Sequence, residues 1–410
     1  MYNLHLKTSH FPAQTDTEIR DISVGGLLRE IASSNPHSIA MVDVLEDGKC
    51  GQSWTYSELA HQAKSLAQTL ASRFAPRERI VVWAPNIPEW IFLEYAAGLA
   101  GLVLVTANPS FQTAELKYVL DQSGAVGLVM IDEFRGNPME EIAKEATKGN
   151  THLRETVNLH RKDILFKIGD RPTLLPNVHP DDPAQIQYTS GTTGFPKGAI
   201  LSHKNLVNNA RLFCARKHVT QHSVWANFMP LFHTAGCATG ALGCLQAACK
   251  MLLIKRFDSD IFARLIEEQK VTTCFAVPTM LFNLLESLER NPRDTSSLEV
   301  ITTGGAPVPP DLIRRVRDNL GCHLLSAFGQ TEHSPMISLN PIGSTIKQIV
   351  ETAGQPLPHT EVSIRSPENN NVLPIAEVGE ICARSYAVMI EYNVNPEATV
   401  SAIDSDGWLH

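Results

Sequence analysis

No C-x-x-C pair occurs among the eight cysteines of this chain, which stand at positions 50, 214, 237, 244, 249, 274, 322 and 382, mostly among apolar neighbours. That absence removes the usual zinc-ribbon and dithiol signatures and argues against a disulfide framework. Buried free thiols in a reducing compartment are expected instead. Positive charge is also in deficit. With 35 Lys and Arg against 43 Asp and Glu, the formal net charge is −8, which gives no electrostatic reason to expect nucleic acid or an anionic membrane as partner. The opening stretch "MYNLHLKTSHFPAQTDTEIR" has no apolar run and does not read as a signal peptide. The expected location is cytoplasmic, a peroxisomal address being an alternative that only a C-terminal signal would supply. An uninterrupted membrane span is missing too. The best candidate, "LFHTAGCATGALGCLQAACKMLLI" (231–254), is broken by His233, Gln246 and Lys250, and its small residues suit a buried helix packed on a sheet. His218 and His222 have metal-compatible spacing, but no third ligand is suggested nearby, so they read as surface histidines.

What is present is an ordinary globular composition, 43% hydrophobic and 19% charged over 410 residues, long enough for two or three domains. Apolar runs alternate with helical patterns. "RIVVWAP" (79–85), "VLVTANP" (103–109) and "VGLVMI" (126–131) read as strands, separated by helices over 88–102 and 113–125. Such alternation predicts an α/β fold with parallel-type sheets flanked by helices. Residues 135–180 are polar and less regular, suggesting a boundary. A second alternating block follows, with strands at 184–190, 224–230, 250–254, 273–278, 299–305 and 323–329. From about 346 the stretches "TEVSIRSP" and "VGEICARS" alternate polar and apolar residues, as short antiparallel strands do. The expected organisation is therefore an N-terminal α/β unit (1–180), a second α/β unit (181–345) and a small β-rich, barrel-like unit (346–410).

One stretch is too poor in apolar side chains to be core: "YTSGTTGFPKGAILSH" (188–203). Glycine, serine and threonine at this density expose backbone N–H groups and hydroxyls, a cradle for an anion. The P-loop pattern fails here, because Pro196 precedes Lys197 and Gly198 follows it. The loop reads as a phosphate holder of another kind. Three further stretches fall where strand-to-helix loops belong: "MPLFH" (229–233), "TTGGAPVPP" (302–310) and "SAFGQTEHSP" (326–335). Ligands of parallel α/β sheets bind at the C-terminal ends of strands, so these loops are expected to converge on one pocket.

In their order and spacing these motifs resemble the adenylate-forming superfamily, acyl-CoA synthetase branch. The likeness runs from "WTYSELA" (54–60) to "GEICARSYAVMIEYNVNPEAT" and "DGWLH". It implies an ATP-dependent ligase: a carboxylate attacks the α-phosphorus of ATP to give acyl-AMP, and the CoA thiol then displaces AMP. Charge builds on the phosphates, so the chemistry needs donors and cations more than a covalent nucleophile. By the same resemblance Thr189, Ser190, Gly191, Thr192, Thr193 and Gly194 wrap the β/γ phosphates beside Lys197. Thr331 contacts the α-phosphate and Glu332 helps hold Mg²⁺. Gly304, Gly305, Ala306, Pro307, Phe328 and Gly329 line the nucleotide and acyl sites. Phe328 stands where the family usually has Tyr, keeping a stacking face and losing a hydroxyl worth about 0.5–1.5 kcal/mol. His233 acts as a gate beside the carboxylate. Val277, Met280, Thr302, Gly305 and His333 are candidate substrate walls, mostly apolar or small, which favours a fatty acid. The family continues past "GWLH" into a lid domain that carries further catalytic groups, so the expectation is an N-terminal core poorly active by itself. Two other readings are an adenylation domain loading a carrier-protein thiol and a non-catalytic nucleotide and acyl binding module. The partners implied are a carboxylic acid, ATP and CoA.

Overall fold

The computed structural model describes residues 2–161, 165, 173–189 and 196–410. Among them the strands form three sheets. Seven strands make the first sheet, in the order Glu391–Tyr392, Lys197–Ser202, Pro183–Thr189, Val103–Ala107, Arg79–Trp83, Gly127–Met130 and Glu155–Asn158. Nine make the second: Gln355–Pro356, Met336–Leu339, His323–Gly329, Val300–Gly304, Thr273–Phe275, Val224–Asn227, Lys250–Ile254, Ile39–Val44 and Cys50–Thr55. The third is antiparallel, His10–Phe11 with Thr360–Arg365 and Glu380–Ser385.

The interior pairs of both large sheets are parallel. Parallel strands are covered on both faces, which is why Val103–Ala107 and Val300–Gly304 are buried at every position. Antiparallel pairs occur towards the edges, where hairpins close the sheets. The helix Pro88–Ala100 is buried along its whole length. Its Tyr95 hydroxyl donates to the Ala241 carbonyl across the interior, and one contiguous core runs through both large sheets.

Linear boundaries at 180 and 345 do not delimit these sheets. Strands Ile39–Val44 and Cys50–Thr55 lie before residue 180 yet complete the second sheet through the Met41–Met251 register. Strand Pro183–Thr189 lies after 180 and pairs with Val103–Ala107 in the first. Strand Glu391–Tyr392 reaches the first sheet from the C-terminal region, which otherwise supplies the β-rich unit. Side-chain pattern identifies a strand, but pairing across hundreds of residues is decided by the packed surfaces. Residues 135–161 are more regular than their polarity suggests, with helix Met139–Ala146 and strand Glu155–Asn158.

The small-residue segment after His233 forms a π-helical stretch, Ala235–Leu242, then a short α-helix, Gly243–Ala247. Both are packed inside, and among the described residues no helix is long and apolar enough to cross a membrane. All eight cysteines are free and seven are buried; Cys50 is the exception, exposed on an edge strand. His218 and His222 are exposed, as expected.

Candidate active site

The quoted glycine-rich stretch connects two antiparallel strands, Pro183–Thr189 and Lys197–Ser202. Thr189 ends one strand, Lys197 begins the next, and the two are register partners. Ser190, Gly191, Thr192, Thr193 and Gly194 lie outside the described residues. The base of the hairpin is held from three sides. Tyr188 donates to Gln122 Oε1 at 2.5 Å, Tyr118 donates to the Pro196 carbonyl at 2.9 Å, and the Asn393 amide donates to the Gly198 carbonyl at 2.7 Å. Burial raises the Tyr188 phenol well above its ordinary range, so it stays protonated as a donor.

Glu332 sits in the short 3₁₀ turn Thr331–His333. Its Oε1 accepts from the Tyr392 hydroxyl at 2.6 Å and from Thr189 Oγ1 at 3.4 Å. The Lys197 ammonium lies 5.2 Å from the centroid of the Tyr392 ring. Thr189, Lys197, Glu332 and Tyr392 thus form one constellation, assembled from both large sheets. Burial, and then the hydrogen bond to Glu332, raise the Tyr392 phenol. Sequence reasoning missed Tyr392, because sixty positions separate it from Glu332 and its strand is two residues long. An aromatic side chain inside the polar run "EYNVNP" was the one available signal.

"MPLFH" is clamped by a buried asparagine. Asn86 donates to the Met229 carbonyl at 2.9 Å and accepts from the Leu231 amide at 2.8 Å. A polar chain also crosses the core to it. Glu94 accepts from Gln185, whose oxygen accepts from Gln187, and Thr106 Oγ1 lies 3.1 Å from Gln187 Oε1 and 2.9 Å from the Phe232 carbonyl. Desolvation pushes the Glu94 carboxyl up to about 8, so this buried group is neutral at pH 7 and costs no buried charge.

Three cavities follow one another past this clamp. The first, about 220 Å³, is lined by Met229, His233, Thr234, Phe275, Val277, Gly304, Gly305, Gly329, Thr331 and Met336, among others. The second, about 210 Å³, includes Thr106, Tyr188, Thr189, Pro196, Phe232 and His233 in its lining. His233 is therefore a wall common to both. Phe232 is shared in turn by the second cavity and a third of about 300 Å³, whose lining adds Phe134, Arg135, Lys255, Arg256, Phe257 and Met280. His233 is open to solvent, yet the protein around it disfavours the charged imidazolium and lowers its pKa.

Six expected residues fall elsewhere. His333 is fully buried and does not line the acyl cavity. Its Nδ1 is 3.0 Å from the Met336 carbonyl and its Nε2 2.8 Å from Ser385 Oγ, and burial lowers it to about 4. Thr302 is sealed within its strand. Met280 lines the third cavity rather than the first: Val277 is the extended residue that caps helix Pro278–Arg290, whereas Met280 lies within its first turn. Phe328 is half-buried beside a register irregularity and stands outside the cavity lining. Ala306 and Pro307 are exposed and also stand outside the cavity lining. The two glycines have different reasons: a Cβ on Gly304 would meet the Ala327 carbonyl at 2.8 Å, whereas Gly305 has open space but a φ of +79°. Sheet packing and backbone conformation therefore require glycine here before any ligand does.

The family model described as AMP-binding enzyme matches residues 28–393. YngI of Bacillus subtilis (strain 168) is 31% identical over 96% of this chain and 76% of its own length. The mitochondrial medium-chain acyl-CoA ligase ACSF2 of Homo sapiens is 29% identical over 98% of this chain and 70% of its own. Among solved structures, the inhibitor-bound N-terminal domain of FACL13 from Mycobacterium tuberculosis superposes with a TM-score of 0.84 at 25% identity, covering 94% of each chain.

Proposed function

The chain belongs to the AMP-binding enzyme family, and on that premise we propose that it activates a fatty acid as its acyl-adenylate in the cavity bounded by His233, Gly304 and Thr331, for transfer to CoA. Activation of a carboxylic acid with ATP, and passage of the acyl group to the CoA thiol, is the chemistry of the acyl-CoA ligases it resembles. In the first step an acid oxygen bonds to the α-phosphorus and pyrophosphate leaves. In the second the thiol sulfur bonds to the acyl carbon, AMP leaves, and the thiol proton passes to solvent.

In this reading Thr331 contacts the α-phosphate at the cavity mouth. Thr189 and Lys197 meet the β/γ phosphates at the hairpin. Mg²⁺, a hard cation that would neutralise charge developing on those phosphates, would be held by Glu332, whose half-buried carboxylate receives the Tyr392 and Thr189 hydroxyls. Fixed donors of this kind stabilise transferring charge because they need no reorganisation during reaction.

His233 carries the reading: one side chain walls both the acyl-type cavity and the cavity behind the phosphate hairpin. Moving it would join them. The third cavity, with Arg135, Lys255 and Arg256 beside Phe134 and Phe257, suits the phosphates and base of CoA. Its cations favour CoA over a carrier-protein thiol as acceptor. The apolar walls Met229, Phe275, Val277 and Met336 favour a fatty tail.

The test is thermal stability with non-hydrolysable acyl-adenylate analogues from acetyl to stearoyl, with a benzoyl member. Ligand at a hundredfold over Kd adds about 2.7 kcal/mol, enough to move the melting temperature visibly. A shift peaking at one aliphatic length is expected. A peak at benzoyl would replace fatty by aryl acid, and no shift with any analogue, in folded protein, would overturn the site.

A further inference from the structure

On the third sheet, remote in chemistry from the phosphate hairpin, four side chains with lone pairs converge. Glu380 and Cys382 are two apart on strand Glu380–Ser385 and share a face. Leu409 and Ala383 exchange backbone hydrogen bonds at 2.8 and 2.9 Å, which brings the next residue, His410, against Cys382. His410 Nδ1 lies 2.9 Å from Glu380 Oε2 and 3.4 Å from Cys382 Sγ, and the three donor atoms fall within 4.8 Å of one another. The other ring nitrogen, Nε2, is 3.5 Å from Asp404 Oδ2. The thiol is buried and the imidazole mostly so.

We propose that Glu380, Cys382 and His410 bind a divalent cation of the zinc class, with Asp404 orienting the imidazole from behind. The imidazole Nδ1 stands between the carboxylate and the sulfur, and the thiol's own proton has only a long 3.9 Å contact to the Glu380 carbonyl, so the sulfur is poorly satisfied by its protein partners. A cation at their centre satisfies all three. Thiolate, imidazole and carboxylate together are the donor set that Zn²⁺ accepts, and three protein ligands leave a fourth position for water. The carboxylate behind the ring is the usual outer partner of a metal-bound histidine. Asp404 is itself fixed, accepting from the Asn370 amide at 2.8 Å and from the Trp408 and Asp406 backbone at 2.9 Å. On binding, the sulfur gives its proton to solvent and bonds to the metal. The bound ion would tie the Trp408–His410 stretch to strand Glu380–Ser385, a structural clamp separate from any Mg²⁺ at Glu332.

Equilibrium dialysis of the full chain against Zn²⁺, and against Co²⁺ with the absorption spectrum recorded, tests this in the presence of excess Mg²⁺. One zinc per chain and a thiolate-to-cobalt band are expected. Cys382→Ser should abolish the band and the tight zinc. Asp404→Asn should weaken zinc roughly 10–100-fold, as outer-shell changes do. Both replacements are nearly isosteric, and circular dichroism establishes that each variant is folded. Absence of stoichiometric zinc in the unaltered chain, or binding that Cys382→Ser and Glu380→Gln leave unchanged, would overturn the proposal.

Discussion

The hydroxyl of Tyr392 donates to Glu332 at 2.6 Å while its ring lies 5.2 Å from the Lys197 ammonium. One side chain from a two-residue strand thus contacts both the carboxylate expected to hold Mg²⁺ and the ammonium expected to meet phosphate. Tyr392→Phe removes the hydroxyl and keeps the ring. A hydrogen bond to a charged group is worth about 1.5–3 kcal/mol, so adenylation should fall about 10–150-fold. Pyrophosphate exchange measures it, and an unchanged rate would mean that Glu332 needs no support from Tyr392.

Lys197→Ala separates phosphate recognition from adenine recognition. ATP affinity should drop by roughly 10–150-fold, the range of a charge-assisted contact, whereas adenosine should bind as before. Isothermal titration with both ligands is the measurement. Equal losses for the two would indicate a damaged fold rather than a missing cation.

The protein around His233 lowers its pKa below the ordinary 6.5, so the side chain is neutral at pH 7. Acyl-adenylate analogue affinity should stay flat down to about pH 6.5 and change only in more acidic solution. In His233→Gln, which cannot titrate, that acidic change should vanish. A midpoint above 6.5 in the unaltered chain would contradict the reading.

Lys217 gives a stability prediction away from the site. Its ammonium is fully buried, 4.0 Å from the Trp225 ring centroid and 3.3 Å from the Cys274 carbonyl, and desolvation lowers it to about 8. Below that pH the folded state carries the full cost of a buried cation. As pH rises past 8 the folded chain sheds its proton before the unfolded chain does, so the unfolded state binds more protons and stability increases until about pH 10.5. The gain is on the order of 3 kcal/mol. Lys217→Met should lack this rise when urea unfolding is compared at about pH 7.5 and about pH 10, and should be as stable as the unaltered chain or more so at the lower pH.

Much of the site was legible because its motifs are local. "YTSGTTGFPKG" marks the hairpin whose ends are Thr189 and Lys197, "FGQTE" carries Glu332, and "MPLFH" carries His233. Each motif occupies a strand end, where backbone geometry and ligand chemistry demand particular residue types within a few positions. The misreadings have a common cause. His333 looks like a wall beside Glu332 in the sequence, but Ser385 and the Met336 carbonyl hold its ring in the interior. Met280 is close to Val277 along the chain and faces a different cavity, because the backbone changes from extended at Val277 to helical at Pro278. Gly304 lines the first cavity as expected, and the Ala327 carbonyl, 2.8 Å from where a Cβ would stand, adds a packing reason for glycine that the sequence does not show.

The sequence by itself determined the class of the fold, through the alternation of buried apolar runs with helical patterns, and which residue types stand at the strand ends, through short polar motifs each contained in one loop. Tertiary structure alone decided which strand lies beside which, so that Met41 pairs with Met251, and which distant groups meet, so that Tyr392 finds Glu332 and His410 finds Cys382. Local pattern fixes a strand's buried faces, but the choice among many similar apolar partners is settled only when all the surfaces pack at once.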